Sequence, residues 1–258
     1  MSQPIMFFSQ TSGRTSLKMI SVEKHLEDYA KDGYTVVDNV LTAEDLAIIN
    51  RVIDNDLLKQ SPFWMEREHG NVVLNVHMLL TYQELDLTMH TPKIMPIIES
   101  ILGPEVCAAE HSVRIRKAFD GDPYCSWHRD GQGWPQHKSS SPYFTNYISV
   151  AYYLSDVNDL THSFSVLPGS IRDGKLSDLS EYNKKNAHHI VGEKGTAIIF
   201  NAAMFHGGNV RKTDTERRTI HTYWGRSSNP PISNYTIFPQ RLWGNKNVRT
   251  QRYYRRLN

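Results

Sequence analysis

Arg217-Arg218-Thr219-Ile220-His221-Thr222-Tyr223-Trp224 alternates in character and is rich in β-branched and aromatic residues, the composition of a strand. Period two places Arg217, Thr219, His221 and Tyr223 on one face and Arg218, Ile220, Thr222 and Trp224 on the other, so only one arginine of the pair can face an interior. Toward the N-terminus, Gly195-Thr196-Ala197-Ile198-Ile199-Phe200 is a short apolar run of strand length bounded by glycine. Further β-rich runs are expected at 106–117, 124–129, 144–154, 162–167 and 188–191. Before them the pattern is mostly helical. Residues 22–31 read as a helix closed by Gly33, and residues 34–37 as a strand. Thr42 caps a second helix with an apolar stripe of Leu46, Ile49 and Ile53. Ile94, Ile97, Ile98 and Ile101 mark a third helix ending at Gly103, with Pro96 expected to distort its first turn. Helices followed by seven or eight short strands predict a mainly β fold: a double-stranded β-helix (jelly roll, cupin-like) barrel with helices packed on one outer face.

Composition narrows the function. A chain of 258 residues, 39% hydrophobic, can form one substantial core, so residues 21–258 are read as a single domain preceded by a polar, aperiodic arm at 1–20. Lys+Arg 29 against Asp+Glu 27 leaves a formal charge of +2, which argues against nucleic acid as a partner. No apolar stretch is long enough for a membrane span or a signal peptide, and two cysteines suit a reducing compartment. The expected setting is cytoplasmic, as a monomer or homodimer acting on a small molecule.

Two places carry chemistry. Trp127-His128-Arg129-Asp130-Gly131 sets a histidine and a carboxylate at i and i+2, which project from one side if the segment is extended. Among 12 histidines in 258 residues, roughly 0.7 such pairs arise by chance, so context decides. The context is His206-Gly207-Gly208, just beyond the buried run ending at Phe200, where the glycines allow close backbone approach. Two histidines and one carboxylate are the facial ligand set of non-heme iron(II) oxygenases. A zinc site, or a barrel that binds metal without oxygenase activity, can use the same three ligands, and a scaffold with a degenerate site has a similar sequence. His188-His189 point to opposite strand faces and do not make a second site. Arg129, between the two ligands, faces away from the metal and has no assigned role.

The chain resembles the phytanoyl-CoA dioxygenase family of iron(II)/2-oxoglutarate-dependent oxygenases. The matching pieces are Trp127-His128-Arg129-Asp130-Gly131, Val166-Leu167-Pro168-Gly169-Ser170, His206-Gly207-Gly208-Asn209 and Arg217, with Phe238-Pro239-Gln240-Arg241-Leu242 similar to the family's closing segment. The resemblance implies iron(II) held by His128, Asp130 and His206, with 2-oxoglutarate and dioxygen as co-substrates. It places the arginine for the distal carboxylate of 2-oxoglutarate 11 residues after the second histidine, which selects Arg217 over Arg218. Asn146 and Thr219 are further candidates for holding 2-oxoglutarate. The implied outcome is hydroxylation of an unactivated C–H bond of a small metabolite or natural-product intermediate with release of succinate and carbon dioxide, with desaturation or ring chemistry open to the same machinery; halogenating relatives lack the carboxylate ligand that Asp130 supplies. Three positions depart from the family pattern. Thr161-His162 replaces Asn-Gly, Ile171 replaces a histidine, and Gly208 stands where many members have a serine that helps hold 2-oxoglutarate, a hydrogen bond that is either lost here or supplied elsewhere, with Thr219 as one candidate.

Substrate residues are less marked. Arg114 and Arg116 share a strand face and either contact an anionic ligand or lie solvated. Trp134, His137 and Tyr143 fall in a Gly/Pro/Ser-rich stretch that reads as a lid loop. On the strand from Phe144, the face of Asn146, Ile148, Val150 and Tyr152 and the face of Thr145, Tyr147, Ser149 and Ala151 are both open as the inner one. Arg249–Arg256 reads as a solvated terminal helix.

Overall fold

The computed structural model describes residues 21–130, 145–171, 179–229, 232 and 237–254. The expected N-terminal arm, Trp134, His137 and Tyr143 lie outside the described residues. The order of elements is α1 (Val22–Asp32), β1 (Tyr34–Val37), α2 (Ala43–Leu58), β2 (Met65–Arg67), β3 (Val72–Asn75), α3 (Met78–Thr81), α4 (Met95–Leu102), β4 (Val106–Arg116) and β5 (Tyr124–Cys125). There follow β6 (Tyr147–Tyr153), β7 (Ser163–Val166), β8 (His188–Ile190), β9 (Ala197–Asn201), β10 (His206–Val210), β11 (Arg217–Arg226), α5 (Gln240–Trp243) and α6 (Val248–Arg252).

Local chemistry sets the helix ends. Ser21 accepts from the Lys24 N–H at the start of α1, and Gly33 closes it at φ 83° with its N–H on the Tyr29 carbonyl. A reciprocal capping box between Thr42 and Asp45 starts α2. Pro96 sits inside α4 without interrupting it. It is the second residue of the helix, within the first turn, where a missing N–H leaves no bond unmade.

A seven-stranded sheet runs β1-β9-β6-β11-β4-β3-β2 and a four-stranded sheet runs β5-β10-β7-β8, with every pairing antiparallel. The sheets face each other as a jelly roll but are not hydrogen-bonded into a closed barrel. Strand β6 separates two cores by its alternation. Ile148, Val150 and Tyr152 pack with Ile49, Ile53, Ile98 and Trp224 beneath the helices. Ala151 and Tyr153 pack with Phe164, Val166, Phe200 and Met204 between the sheets. The Tyr147, Ser149 and Ala151 face is therefore the inner one.

Three strands lie beyond the sequence expectation. Short β2 and β3 extend the large sheet at one edge, and lengths of three and four residues give little periodic signal. His206 lies just beyond buried β9, as expected, but also opens a strand of its own, β10, because the two glycines after it pair with β7. The terminal basic segment is helical at Val248–Arg252 but not simply solvated: Tyr253 is buried against Trp224, its carbonyl accepts from the Ala108 N–H, and Arg249 pairs with Glu99.

Ile53 is fully buried and Leu58, on the same helix, is 81% exposed. Ile53→Ala is expected to cost about 2–5 kcal/mol of stability and Leu58→Ala less than about 0.5 kcal/mol, read by chemical denaturation.

Candidate metal centre and co-substrate cavity

The centre is assembled by backbone pairing. Strand β5 pairs with the far end of β10, and the chain continues alongside it: Ser126 N–H donates to the Gly208 carbonyl, and the Gly208 N–H to Ser126 Oγ. His128 and His206 then exchange both backbone hydrogen bonds, at 2.9 and 3.0 Å. A Cβ at Gly207 would lie 2.5 Å from the Ser126 carbonyl oxygen, so only glycine permits this approach. The expected strand over 124–129 is thus β5 plus an isolated bridge at His128, because Asp130 turns away, its N–H bonding the Ala202 carbonyl at 3.0 Å.

The three side chains converge. Asp130 Oδ1 lies 3.7 Å from His128 Nε2, and Oδ2 lies 3.5 Å from His206 Nε2. One potential ligand atom from each residue falls within 4.8 Å of the others, and this is the one such cluster of metal-ligating type among the described residues. Each histidine donates its Nδ1–H to a carbonyl two residues earlier, His128 to Ser126 at 2.8 Å and His206 to Met204 at 2.9 Å. That fixes the tautomer in which Nε2 carries a lone pair. Desolvation in the cleft, with His206 alongside, pushes His128 down to about 4, so the ring is neutral near pH 7. Burial alone would raise the Asp130 pKa, but the His206 and His128 rings outweigh it and hold the carboxyl well below its usual range. Tyr223 O–H donates to Asp130 Oδ2 at 2.7 Å. The Phe200 and Phe164 rings pack against His206, with centroids 4.7 and 5.7 Å away.

A cavity opens beside His128 and His206, walled by Arg114, Arg116, Arg217, Thr219, His221 and Phe164. Arg217 enters it, the arginine that the family spacing selects, while Arg218, on the other face of β11, turns to Asp54 and Glu216. Arg217 is 7% exposed, and its Nε and Nη1 have no hydrogen-bond partner among the described residues. Desolvation, reinforced by the Arg116 charge, lowers its pKa to about 10, still well above neutrality. Arg116 forms a two-pronged pair with Glu68, both contacts at 2.8 Å. Asn146 stands apart from this group. It precedes β6, whose first residue pairs with Gly225, at the end of β11 opposite Arg217, and its backbone carbonyl accepts from Asn229. His188 and His189 go separately to Tyr34 and Ser165.

Several contributors escaped the sequence reading. Arg129 is buried: its guanidinium donates to the carbonyls of Ala203 and Ser170 at 3.0 Å each and stacks 3.9 Å over Phe205. It ties the loop carrying His128 and Asp130 to the Pro168-Gly169-Ser170 turn. His162 is accommodated by complete burial. Its Nδ1 accepts from the Arg211 N–H and its Nε2–H donates to the Lys117 carbonyl, bracing the end of β4. Tyr223 was placed on the correct face by alternation, but its contact with Asp130 has no sequence signal. Glu68 comes from the β2–β3 connection, which carries no motif.

A jelly roll that clusters two histidines and a carboxylate, with a buried arginine in the cavity beside them, defines a class of metal-dependent oxygenase. The family model for phytanoyl-CoA dioxygenase (PhyH) matches residues 29–219, and the chain belongs to that family. Iron and 2-oxoglutarate are accordingly its cofactor and co-substrate, with dioxygen as the oxidant. The chain is similar to L-proline trans-4-hydroxylase of Streptomyces griseoviridis, 20% identical over 79% of this chain and 86% of that protein. It is also similar to ectoine dioxygenase of Nocardia farcinica, 26% identical over 82% of this chain and 80% of that protein. In fold it resembles the non-heme alpha ketoglutarate dependent epimerase SnoN from nogalamycin biosynthesis, solved with Fe3+, alpha ketoglutarate and nogalamycin RO. That likeness has a TM-score of 0.65 at 17% identity and covers 82% of this chain and 87% of that one. Among the described residues, no helix is long and apolar enough to cross a membrane.

Tyr223→Phe deletes the hydrogen bond that orients Asp130. Anaerobic iron(II) titration is expected to show affinity lowered about 10- to 100-fold, the usual cost of removing a partner of a metal ligand.

Proposed function

We propose that this protein is an iron(II)- and 2-oxoglutarate-dependent dioxygenase that hydroxylates an unactivated C–H bond of a small metabolite, releasing succinate and carbon dioxide. The observation that carries the reading is the Arg217 guanidinium, buried beside the His128, Asp130 and His206 cluster with Nε and Nη1 unsatisfied. A buried cation with free donors is costly unless an anion completes it. A dicarboxylate whose keto-acid end binds the metal and whose other end reaches Arg217 meets that need, in a fork geometry that lysine does not reproduce. The donor set fits iron: two imidazoles with Nε2 free and one ionised carboxylate.

Bound iron supplies dioxygen activation coupled to oxidative decarboxylation of 2-oxoglutarate. The chain's own residues prepare the site for it. The Ser126 and Met204 carbonyls hold the two imidazoles in one tautomer. Tyr223 orients Asp130, and Phe164 and Phe200 keep water from one side of His206. Arg217 binds the distal carboxylate of 2-oxoglutarate, and Thr219 offers a hydroxyl on the same wall. Asp130 fills the third ligand position, which favours hydroxylation over halogenation. A small zwitterion is the substrate class best supported. Buried Glu110 lies 3.9 Å from Arg114 on β4, next to Tyr223, so charges of both signs stand beside the metal cluster. The relatives named for proline and ectoine agree with that class. Two free cysteines, Cys107 and Cys125, support a cytoplasmic setting.

Anaerobic protein with iron(II) and 2-oxoglutarate is expected to develop a weak visible charge-transfer band that Arg217→Ala removes. His128→Ala and Asp130→Ala are each expected to abolish succinate formation, including in a screen of small zwitterions as substrates. Absence of the band in the parent protein, or turnover retained in either ligand variant, contradicts the assignment.

A further inference from the structure

Arg116 and Arg217 are directly opposite each other on β4 and β11. Both guanidinium-bearing residues wall the same cavity and are nearly buried, at 5% and 7% exposure. Like charges facing across adjacent strands repel, and burial sharpens the repulsion. Glu68 supplies one carboxylate to this pair, leaving one positive charge over. Three buried donors there have no partner among the described residues: Nε of Arg116, and Nε and Nη1 of Arg217.

Two features show that Arg116 is held in place rather than merely tolerated. A Cβ on Gly208 would lie 2.5 Å from Arg116 Nη2 and 2.9 Å from its Cζ, so the guanidinium occupies the space that any side chain at 208 takes. Glu68, which clamps it, sits at φ 49° and is followed by His69 at φ 55°, a left-handed pair of non-glycine residues that must be stabilised by what they hold. Tyr124 O–H adds a third donor to Glu68 at 3.2 Å.

We propose that Arg116, clamped by Glu68 in the space Gly208 leaves open, is a second cationic contact for the distal carboxylate of 2-oxoglutarate, in place of a hydroxyl at position 208. The inference rests on the co-substrate reading above and deepens it: the carboxylate lies between two arginines, and Arg116 serves the co-substrate rather than the substrate. Gly208 and Arg116 are then a matched pair, since a serine at 208 and an arginine at 116 compete for one volume.

The test is calorimetric titration of the anaerobic, iron(II)-loaded protein with 2-oxoglutarate and with 2-oxobutanoate, which has the same keto-acid end but no distal carboxylate. Glu68→Gln with Arg116→Met removes both charges together and leaves no lone buried ion. This double variant is expected to bind 2-oxoglutarate at least about tenfold more weakly, the order of one charge-assisted contact, with 2-oxobutanoate binding unchanged. Gly208→Ser alone is expected to weaken 2-oxoglutarate binding, because it displaces Arg116. Added to the double variant, the same substitution is expected to restore part of the lost affinity. Unchanged 2-oxoglutarate affinity in the double variant overturns the proposal. So does an equal loss for both acids, which marks a structural role. If the parent protein itself fails to bind 2-oxoglutarate, the underlying co-substrate reading fails instead.

Discussion

The antiparallel exchange of backbone hydrogen bonds between His128 and His206 is the constraint on which the site depends. The two residues are distant in sequence, and nothing in their side chains brings them together. What does is the continuation of β5 along β10, with Gly207 allowing the Ser126 carbonyl to come within a distance that excludes any Cβ. Once that contact forms, both Nδ1 atoms are satisfied by nearby carbonyls and both Nε2 atoms are left for a metal. Asp130 joins through a turn pinned at Ala202 and a hydrogen bond from Tyr223. The metal ligands are thus positioned by main chain, with side-chain hydrogen bonds setting only their final orientation.

The rest of the fold bears on that contact from outside. Arg129 stacks on Phe205 and ties the ligand loop to the turn at Ser170, so its position between the ligands has a structural use. Phe200, on β9, is shared between the inter-sheet core and the His206 ring. The cavity next to the metal cluster concentrates positive charge. Burying Arg217 and Arg116 opposite one another is unfavourable for the protein alone. A binding site can carry such a cost when the ligand is a dianion that repays it.

Much of this was legible in the sequence where one face of an element is buried. Alternation along β11 put Arg217, Thr219, His221 and Tyr223 on one face and Arg218 on the other, the family resemblance marked the Arg217 face as the inner one, and the structure has that arrangement. The helix ends at Gly33 and Thr42, and the apolar run that ends at Phe200, depend on local chemistry and were legible for that reason. Elements that depend on distant pairing were not. Strands β2 and β3 have too few residues for a period, and β10 carries two glycines that read as a loop until β7 lies beside them. Glu68 reaches Arg116 from a connection with no motif, and Asn146 precedes a strand whose even-numbered face looks to the helices rather than the cavity. The inner face of β6 was undecidable from alternation alone, since both faces are buried, one by helices and one by the opposite sheet.

The most direct test of the account is anaerobic iron(II) titration of Gly207→Ala, with far-ultraviolet circular dichroism recorded on the same sample. A methyl group there must push Ser126 away from β10 and separate His128 from His206. The account predicts a fold-level spectrum close to that of the parent protein and iron(II) affinity lowered by at least about tenfold, a change of 1.4 kcal/mol or more. Iron(II) affinity equal to the parent's in a folded Gly207→Ala protein would contradict it.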